Sequence, residues 1–345
     1  LFSDSVYIDR LSRIPAVMEM PYNDIIRKFI DMYAGRLRNQ VSFMLSACNF
    51  YMPIFEEALD AYGLPLELRY LPIIESALNP SAVSRAGASG LWQFMIGTGK
   101  IYGLESNSLV DERRDPIKAT WAAARYLKEM YDIYGDWNLV IAAYNCGPGT
   151  INKAIRRANG ETDYWKIYNY LPKETRGYVP AFIAANYVMT YYCDHNICPM
   201  ETNIPASTDT VQVNKNLHFE QIADLCNVPL DQIKSLNPQY KKQIIPGDNK
   251  PYTLRLPIEA ISTFIDRQDT IFAHRADELF RNRKTVAVKE ISPSTRRATT
   301  AVAGKGKPTY YKIKSGDTLS SIAEKYGVRV KDICLLYTSP SPRDR

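Results

Sequence analysis

Apolar side chains return every three or four residues through most of the first two hundred positions, and that period confines this part of the chain to helices. Between Tyr22 and Asp60 the repeating set is Ile25, Ile26, Phe29, Ile30 and Tyr33, then Ile54, Phe55, Ala58 and Leu59, the stripes of two amphipathic helices. Gly63 closes the second and Pro65 opens a third, LPLELRYLPIIESAL, whose Leu68, Leu71 and Glu75 share a face. Pro72 inside it makes that helix bent or short. The stretch DPIKATWAAARYLKEMYDIY predicts a helix with Asp115 as its cap and Pro116 in first position. Another covers WNLVIAAYN and ends at Gly147 and Gly149, and a further one runs from about Val179 to Tyr192.

After Pro205 the texture changes. Residues 211–234 and 311–334 repeat each other at an offset of 100, with Val213/Ile313, Phe219/Leu319, Ile222/Ile322, Ala223/Ala323, Val228/Val328 and Ile233/Ile333 matched in character. Each copy reads as a strand, a helix, a turn and a second helix, and the first copy closes on the strand YTLRLP. From Tyr337 the tail YTSPSPRDR departs from the repeat, so the second copy lacks a closing strand. A helix-capable segment, Ile258 to Arg283, and a Thr/Ala/Gly/Lys-rich linker separate the copies.

The net charge of +6 is concentrated in that linker: residues 281–309 hold eight Lys/Arg and one Glu. The folded parts are therefore near neutral, which excludes a folded nucleic-acid-binding face. The linker is either a solvated spacer or a cationic segment drawn to cell-wall polymers or lipid headgroups. No apolar run is long enough to span a bilayer as a helix. The sequence starts at Leu1 without a charged-then-apolar leader, so a targeting segment is absent or missing from this chain. Cysteines at 48, 146, 193, 198, 226 and 334 form no CxxC pair and no metal spacing with His195, His218 and His274, so no metal site is expected. Cys193 and Cys198 are near enough to bridge, although free thiols are the commoner outcome in a chain of this length.

Four segments stand out in order: ESALNPSAVSRAGASGLWQFM from Glu75, VDERRDP from Val110, AYNCGPGTI from Ala143 and ETRGYVPAFI from Glu174. Together they resemble the lytic transglycosylases of bacterial cell-wall metabolism, specifically the membrane-bound murein transglycosylase D type. The two repeats resemble LysM modules, most closely in KSGDTLSSIAEKYGV. The resemblance covers roughly residues 40–257 and 310–333. It implies a mainly α fold, with a lysozyme-like catalytic domain and small α+β (βααβ) LysM modules. The expected division is an N-terminal helical segment 1–60, a catalytic domain 61–205, a degenerate LysM-like module 206–257, a helix and basic linker 258–308, and an incomplete LysM module 309–345.

A glycosidic oxygen leaves poorly until a carboxylic acid protonates it, and that acid must keep its proton near neutral pH. Burial among apolar and aromatic groups raises a carboxyl pKa, so Glu75, at the end of an apolar helix, is the candidate catalytic acid. Ordinary glycosidases use a second carboxylate. Asp111, Glu112 and Asp115 lie among Arg113 and Arg114 and read as an ion-pair and capping cluster instead. The resemblance implies that one Glu acts first as acid and then as base, with the sugar's own N-acetyl group or C6 hydroxyl as nucleophile.

It also implies that Ser84 and Gln93 orient the N-acetyl group and the acid, that Tyr144 and Asn145 face the cleft, and that Tyr178 stands near the acid. Ser84 reads equally as a turn residue in AVSRAG, and Tyr144 with Asn145 as a core tyrosine and a helix-end asparagine. Gly87 and Gly90 either let backbone approach a sugar or form a tight turn before LWQF. In the second repeat Gly316, Asp317 and Thr318 form the strand-to-helix turn with which LysM modules grip N-acetyl sugars; the first repeat has KNLHF there.

The implied substrate is peptidoglycan, cut between N-acetylmuramic acid and N-acetylglucosamine without hydrolysis, with no cofactor and no nucleic acid. A hydrolytic muramidase and a noncatalytic wall-binding scaffold are the rival readings. The implied setting is the periplasm, with the chain a monomer held at the outer membrane if a lipidated leader precedes it. Removing residues 206–345 is then expected to weaken wall binding more than cleavage of short soluble glycans, because tethering raises effective concentration without adding chemistry.

Overall fold

The long apolar stripes form a helical body in the computed structural model, which describes residues 2–202, 204–205 and 207–280. The linker, the second repeat with Gly316, Asp317 and Thr318, Cys334 and the tail lie outside the described residues. The body is built from α1 (Asp4–Ser12), α2 (Asp24–Ala34), α3 (Arg38–Ala61), α4 (Leu71–Ser76), α5 (Ile96–Ile101), α6 (Pro116–Tyr134), α7 (Trp137–Cys146), α8 (Pro148–Arg157), α9 (Tyr164–Ile167) and α10 (Lys173–Thr190).

Local signals set the ends. Asn23 caps α2 by accepting from the Ile25 and Ile26 amides, and Asp115 caps α6 by accepting from Ile117 and Lys118, leaving Pro116 at the first position where no amide is needed. Pro72 likewise falls in the first turn of α4, because the chain up to Tyr70 winds as a 3-10 turn and the α-helix starts only at Leu71. The last body helix, α10, begins six residues before the expected Val179. Gly177 lets it lie against Phe29 of α2, where a Cβ would stand 3.1 Å from the ring. Lys173, Glu174, Arg176 and Gly177 break the apolar period in that stretch without breaking the helix.

α10 is buried on nearly every face and packs on α2, α4 and α7, while α3 and α7 flank α6. Tyr7 and Leu11 of α1, Ile26 and Ile30 of α2 and Phe55 of α3 join the same core as Trp92, Leu127 and Phe182. The first 60 residues thus share the core of the residues that follow, so the boundary expected at 60 does not separate two cores.

The first repeat folds as a small strand-helix module. Strand β1 (Thr208–Val213) pairs antiparallel with β4 (Tyr252–Pro257), from Thr208 opposite Pro257 to Val213 opposite Tyr252. A second ladder joins β2 (Asn216–His218) to β3 (Ile244–Pro246). Helices α11 (Phe219–Cys226) and α12 (Leu230–Leu236) cover the strands with Phe219, Ile222 and Ile233 inward. The chain is mainly α with a small α+β module, as the sequence implies.

The module does not stop at 257. Helices α13 (Ile258–Asp266) and α14 (Gln268–Ala273) bring Ala260, Phe264 and Ile271 into its core, and α15 (Ala276–Leu279) follows. The segment read as a spacer helix is part of the module, because its apolar stripe needs a partner and the β1–β4 ladder supplies one. Phe264 is fully buried there. Phe264→Ala should destabilise the module by about 3–5 kcal/mol, seen as a lower denaturation midpoint; an unchanged midpoint would return 258–273 to the linker.

Candidate active site

Glu75 sits in the last turn of α4, half-buried. Two residues later the backbone turns sharply through Ala77 (φ 52°) and Leu78 (φ 58°), left-handed conformations that non-glycine residues adopt rarely and at a cost of order 1 kcal/mol each. The turn sends the loop 79–95 back across the helix end. Ser76 fastens it, its Oγ donating to the Leu91 carbonyl at 2.9 Å. Trp92, fully buried, donates from Nε1 to Thr120 Oγ1 at 2.9 Å and fixes the far end of the loop to α6.

Within this loop Ser84 and Ala88 exchange hydrogen bonds: the Ser84 amide donates to the Ala88 carbonyl at 2.9 Å, and the Ala88 amide to Ser84 Oγ at 3.0 Å. Gln93, itself left-handed at φ 49°, donates from Nε2 to the Gly90 carbonyl at 2.8 Å and the Ala82 carbonyl at 3.2 Å. Gly90 has φ 89°, and a Cβ on it would stand 1.7 Å from the Arg113 carbonyl oxygen. Gly87, at φ 90°, closes the turn by donating its amide to the Ser84 carbonyl at 3.0 Å. Both glycines serve the loop's own geometry.

A cavity of about 390 Å³ is lined by Glu75, Ser84 and Gln93 together with Tyr33 of α2 and Gln40 of α3. Among its described lining residues Glu75 is the only carboxylate. Tyr178 of α10, buried, donates its phenolic hydrogen to Glu75 Oε1. Tyr144 stands behind the loop and donates to the Trp92 carbonyl at 2.7 Å; burial and the neighbouring Glu75 charge keep its phenol neutral. Neither Tyr144 nor Asn145 lines the cavity. Asn145 Oδ1 accepts from Thr175 Oγ1 at 2.9 Å, tying the end of α7 to α10.

Burial pushes the Glu75 carboxyl up to about 7; the bond from Tyr178 pulls the other way, and the exposed Glu174 adds to the rise. An acid in this state carries its proton near neutrality and can both give and retake it. Asp111, Glu112 and Asp115 play other parts: Asp111 receives two bonds from Arg113 at 2.9 and 2.8 Å, Glu112 pairs with Lys118, and Asp115 caps α6. Among the described residues no group of His, Cys, Asp and Glu could hold a metal ion, and Cys193 and Cys198 are free and exposed.

Three family models match the chain. Residues 52–167 match the transglycosylase SLT domain, 207–273 the LysM-like domain of lytic transglycosylase MltD, and 311–336 the LysM domain. Over 322 residues the chain is 31% identical to the membrane-bound lytic murein transglycosylase D of Escherichia coli K12, covering 92% of this chain and 66% of that protein. The chain contains a transglycosylase SLT domain. It spans just under two thirds of the length of that relative. The soluble lytic murein transglycosylase of the same organism is 33% identical over 124 residues, 34% of this chain and 19% of that one. Among solved structures, that of the 70 kDa soluble lytic transglycosylase SLT70 from Escherichia coli covers 41% of this chain and 24% of its own, at 29% identity and a TM-score of 0.36.

The sequence does not single out Tyr33, Gln40 or Thr175. Tyr33 falls in the apolar stripe of α2 and reads as core, Thr175 lies within ETRGYVPAFI without being singled out there, and Gln40 carries no pattern. Because the Tyr178 bond favours the ionised carboxylate, Tyr178→Phe should move the Glu75 titration above about 7. Carboxyl ¹³C NMR would register the shift; a midpoint that stays or falls would show that the bond does not act on the charged form.

Proposed function

We propose that this chain cleaves the glycan strand of peptidoglycan between N-acetylmuramic acid and N-acetylglucosamine without consuming water. The observation that carries the reading is a single carboxyl, Glu75, pushed up to about 7 in a cavity lined by no other carboxylate among its described residues. Glu75 protonates the glycosidic oxygen as the bond to C1 breaks. The C6 hydroxyl of the same muramoyl residue then attacks C1, and Glu75 takes up its proton, leaving a 1,6-anhydro end. Glycosidases that hydrolyse ordinarily pair the acid with a second carboxylate, and the sugar's own hydroxyl removes that need. The chemistry uses no metal and no cofactor.

Ser84 and Gln93 form the wall that would meet the N-acetyl group. The Ser84 hydroxyl accepts from the Ala88 amide and can donate its hydrogen to a carbonyl oxygen. Tyr178 tunes and orients Glu75, while Tyr144 and Asn145 hold the loop and α10 from behind. The second repeat, with Gly316, Asp317 and Thr318, is the part assigned to wall binding. The setting proposed is the cell envelope, with a monomer acting in the periplasm at the outer membrane; the D-type relative is named as membrane-bound, and no described helix is long and apolar enough to cross a membrane.

Glu75→Gln keeps the shape of the side chain but can neither give nor take the proton. Turnover of purified sacculi should fall by roughly 10²- to 10⁴-fold or more, with sacculus binding retained. Full activity in this variant would remove Glu75 from the mechanism.

A further inference from the structure

The segment 105–114 lies between the helical body and the module and is bonded to both. On the module side, the Asp111 amide donates to the Gln239 carbonyl at 2.9 Å and the Lys241 amide to the Leu109 carbonyl at 2.6 Å, on either side of a bridge between Val110 and Tyr240. Leu109 and Val110 are buried in the module's core, not in that of the helical body. Lys241 Nζ donates to the Asn107 carbonyl at 3.0 Å and lies 3.7 Å from Asp111 Oδ2. Tyr252 and Lys250 both reach Glu105, at 3.0 Å and 2.7 Å.

On the other side the same segment grips the loop over Glu75. Arg113, held by Asp111, donates from Nη1 to the Gly87 carbonyl at 2.8 Å and the Phe94 carbonyl at 3.0 Å, and Arg114 Nε donates to Ser89 Oγ at 3.1 Å. The contacts therefore run without a gap from module to segment to the loop bearing Ser84 and Gln93.

The module is also poorly arranged to serve as a sugar-gripping tether. At the position that aligns in sequence with Gly316 and Asp317, Asn216–His218 is laddered to Ile244–Pro246. Asn216 is further bonded to Asp248, by its amide at 3.1 Å and by its side chain at 2.5 Å. Gly247 approaches so closely that a Cβ on it would stand 2.3 Å from the Lys215 carbonyl oxygen. The module's own β2–β3 ladder occupies that position.

We propose that the module spanning 208–273 is a brace for the substrate groove, with Lys241, Asp111 and Arg113 as positioning residues that hold the loop 82–94 over Glu75. The kinetic part rests on the glycan cleavage proposed above; the structural part does not. Removal of the module alone then costs groove geometry before it costs wall affinity.

The test uses the full chain with Lys241→Met, Lys241→Arg as the conservative control, and Leu109→Asp as the stronger lesion. Without substrate, amide exchange at Ala88, Ser89 and Gly90 should quicken in Lys241→Met by roughly two- to thirty-fold, the range of a coupling contact, and should recover in Lys241→Arg. On short soluble glycans KM should rise by a similar factor with a smaller change in kcat, while retention on sacculi stays as in the parent. Unchanged exchange at the three amides would overturn the brace. Unchanged KM together with lost sacculus retention would make the module a wall tether and overturn it equally. If Leu109→Asp fails to fold, Lys241→Met decides alone. If the parent turns over no glycan, the proposed function fails and the exchange experiment still decides the brace.

Discussion

The side chains of Arg113 and Asp111 are only 6% and 1% exposed, and between them they join three parts of the molecule. Two charges taken out of water are costly, and the cost is met here because Arg113 makes four hydrogen bonds, two to Asp111 and two to carbonyls of the loop over Glu75. Burial alone would raise the Asp111 carboxyl; the bonds from Arg113 and the charges of Arg113, Lys241 and Arg114 outweigh it and hold Asp111 below its usual value. Removing one partner of such a pair strands the other, at about 3–5 kcal/mol. Gly90 belongs to the same arrangement, since only a residue without a Cβ can let the loop pass the Arg113 carbonyl.

The carboxylates of Asp111 and Glu75 are driven in opposite directions. Asp111 faces cations and stays ionised, so it can act as a fixed strut. Among the described residues no cation is bonded to Glu75; its polar partner is a neutral phenol, and burial pushes it up to about 7. Environments that separate the pKa values of nearby acids also separate their tasks. The left-handed backbone at Ala77, Leu78 and Gln93 fits this picture, because strained residues persist where packing over-determines them, and all three lie in the loop or helix end that shapes the cavity.

The helices were legible because their apolar period and caps are local: Asn23, Asp115 and Pro116 act within one turn. The family was legible from four motifs in order, and the acidic cluster at 111–115 from its adjacent arginines. What escaped depends on distant contacts. The start of α10 was hidden by Gly177, whose reason is Phe29 on another helix. The membership of 258–273 in the module was hidden because an amphipathic stripe does not name its partner. The burial of Leu109 and Val110 in a domain that begins a hundred residues later leaves no trace in local sequence. At the site, Tyr33 and Gln40 share the cavity with Glu75 only because α2 and α3 bring them there.

The central claim is that one carboxyl suffices because the sugar supplies its own nucleophile. Digestion of purified sacculi in ¹⁸O-enriched water, followed by mass analysis of the soluble fragments, tests it most directly. The account predicts muramoyl ends lighter than the hydrolytic product by one water and carrying no heavy oxygen. Fragments with ¹⁸O at the reducing end would contradict it, since water and not the C6 hydroxyl would then be the nucleophile.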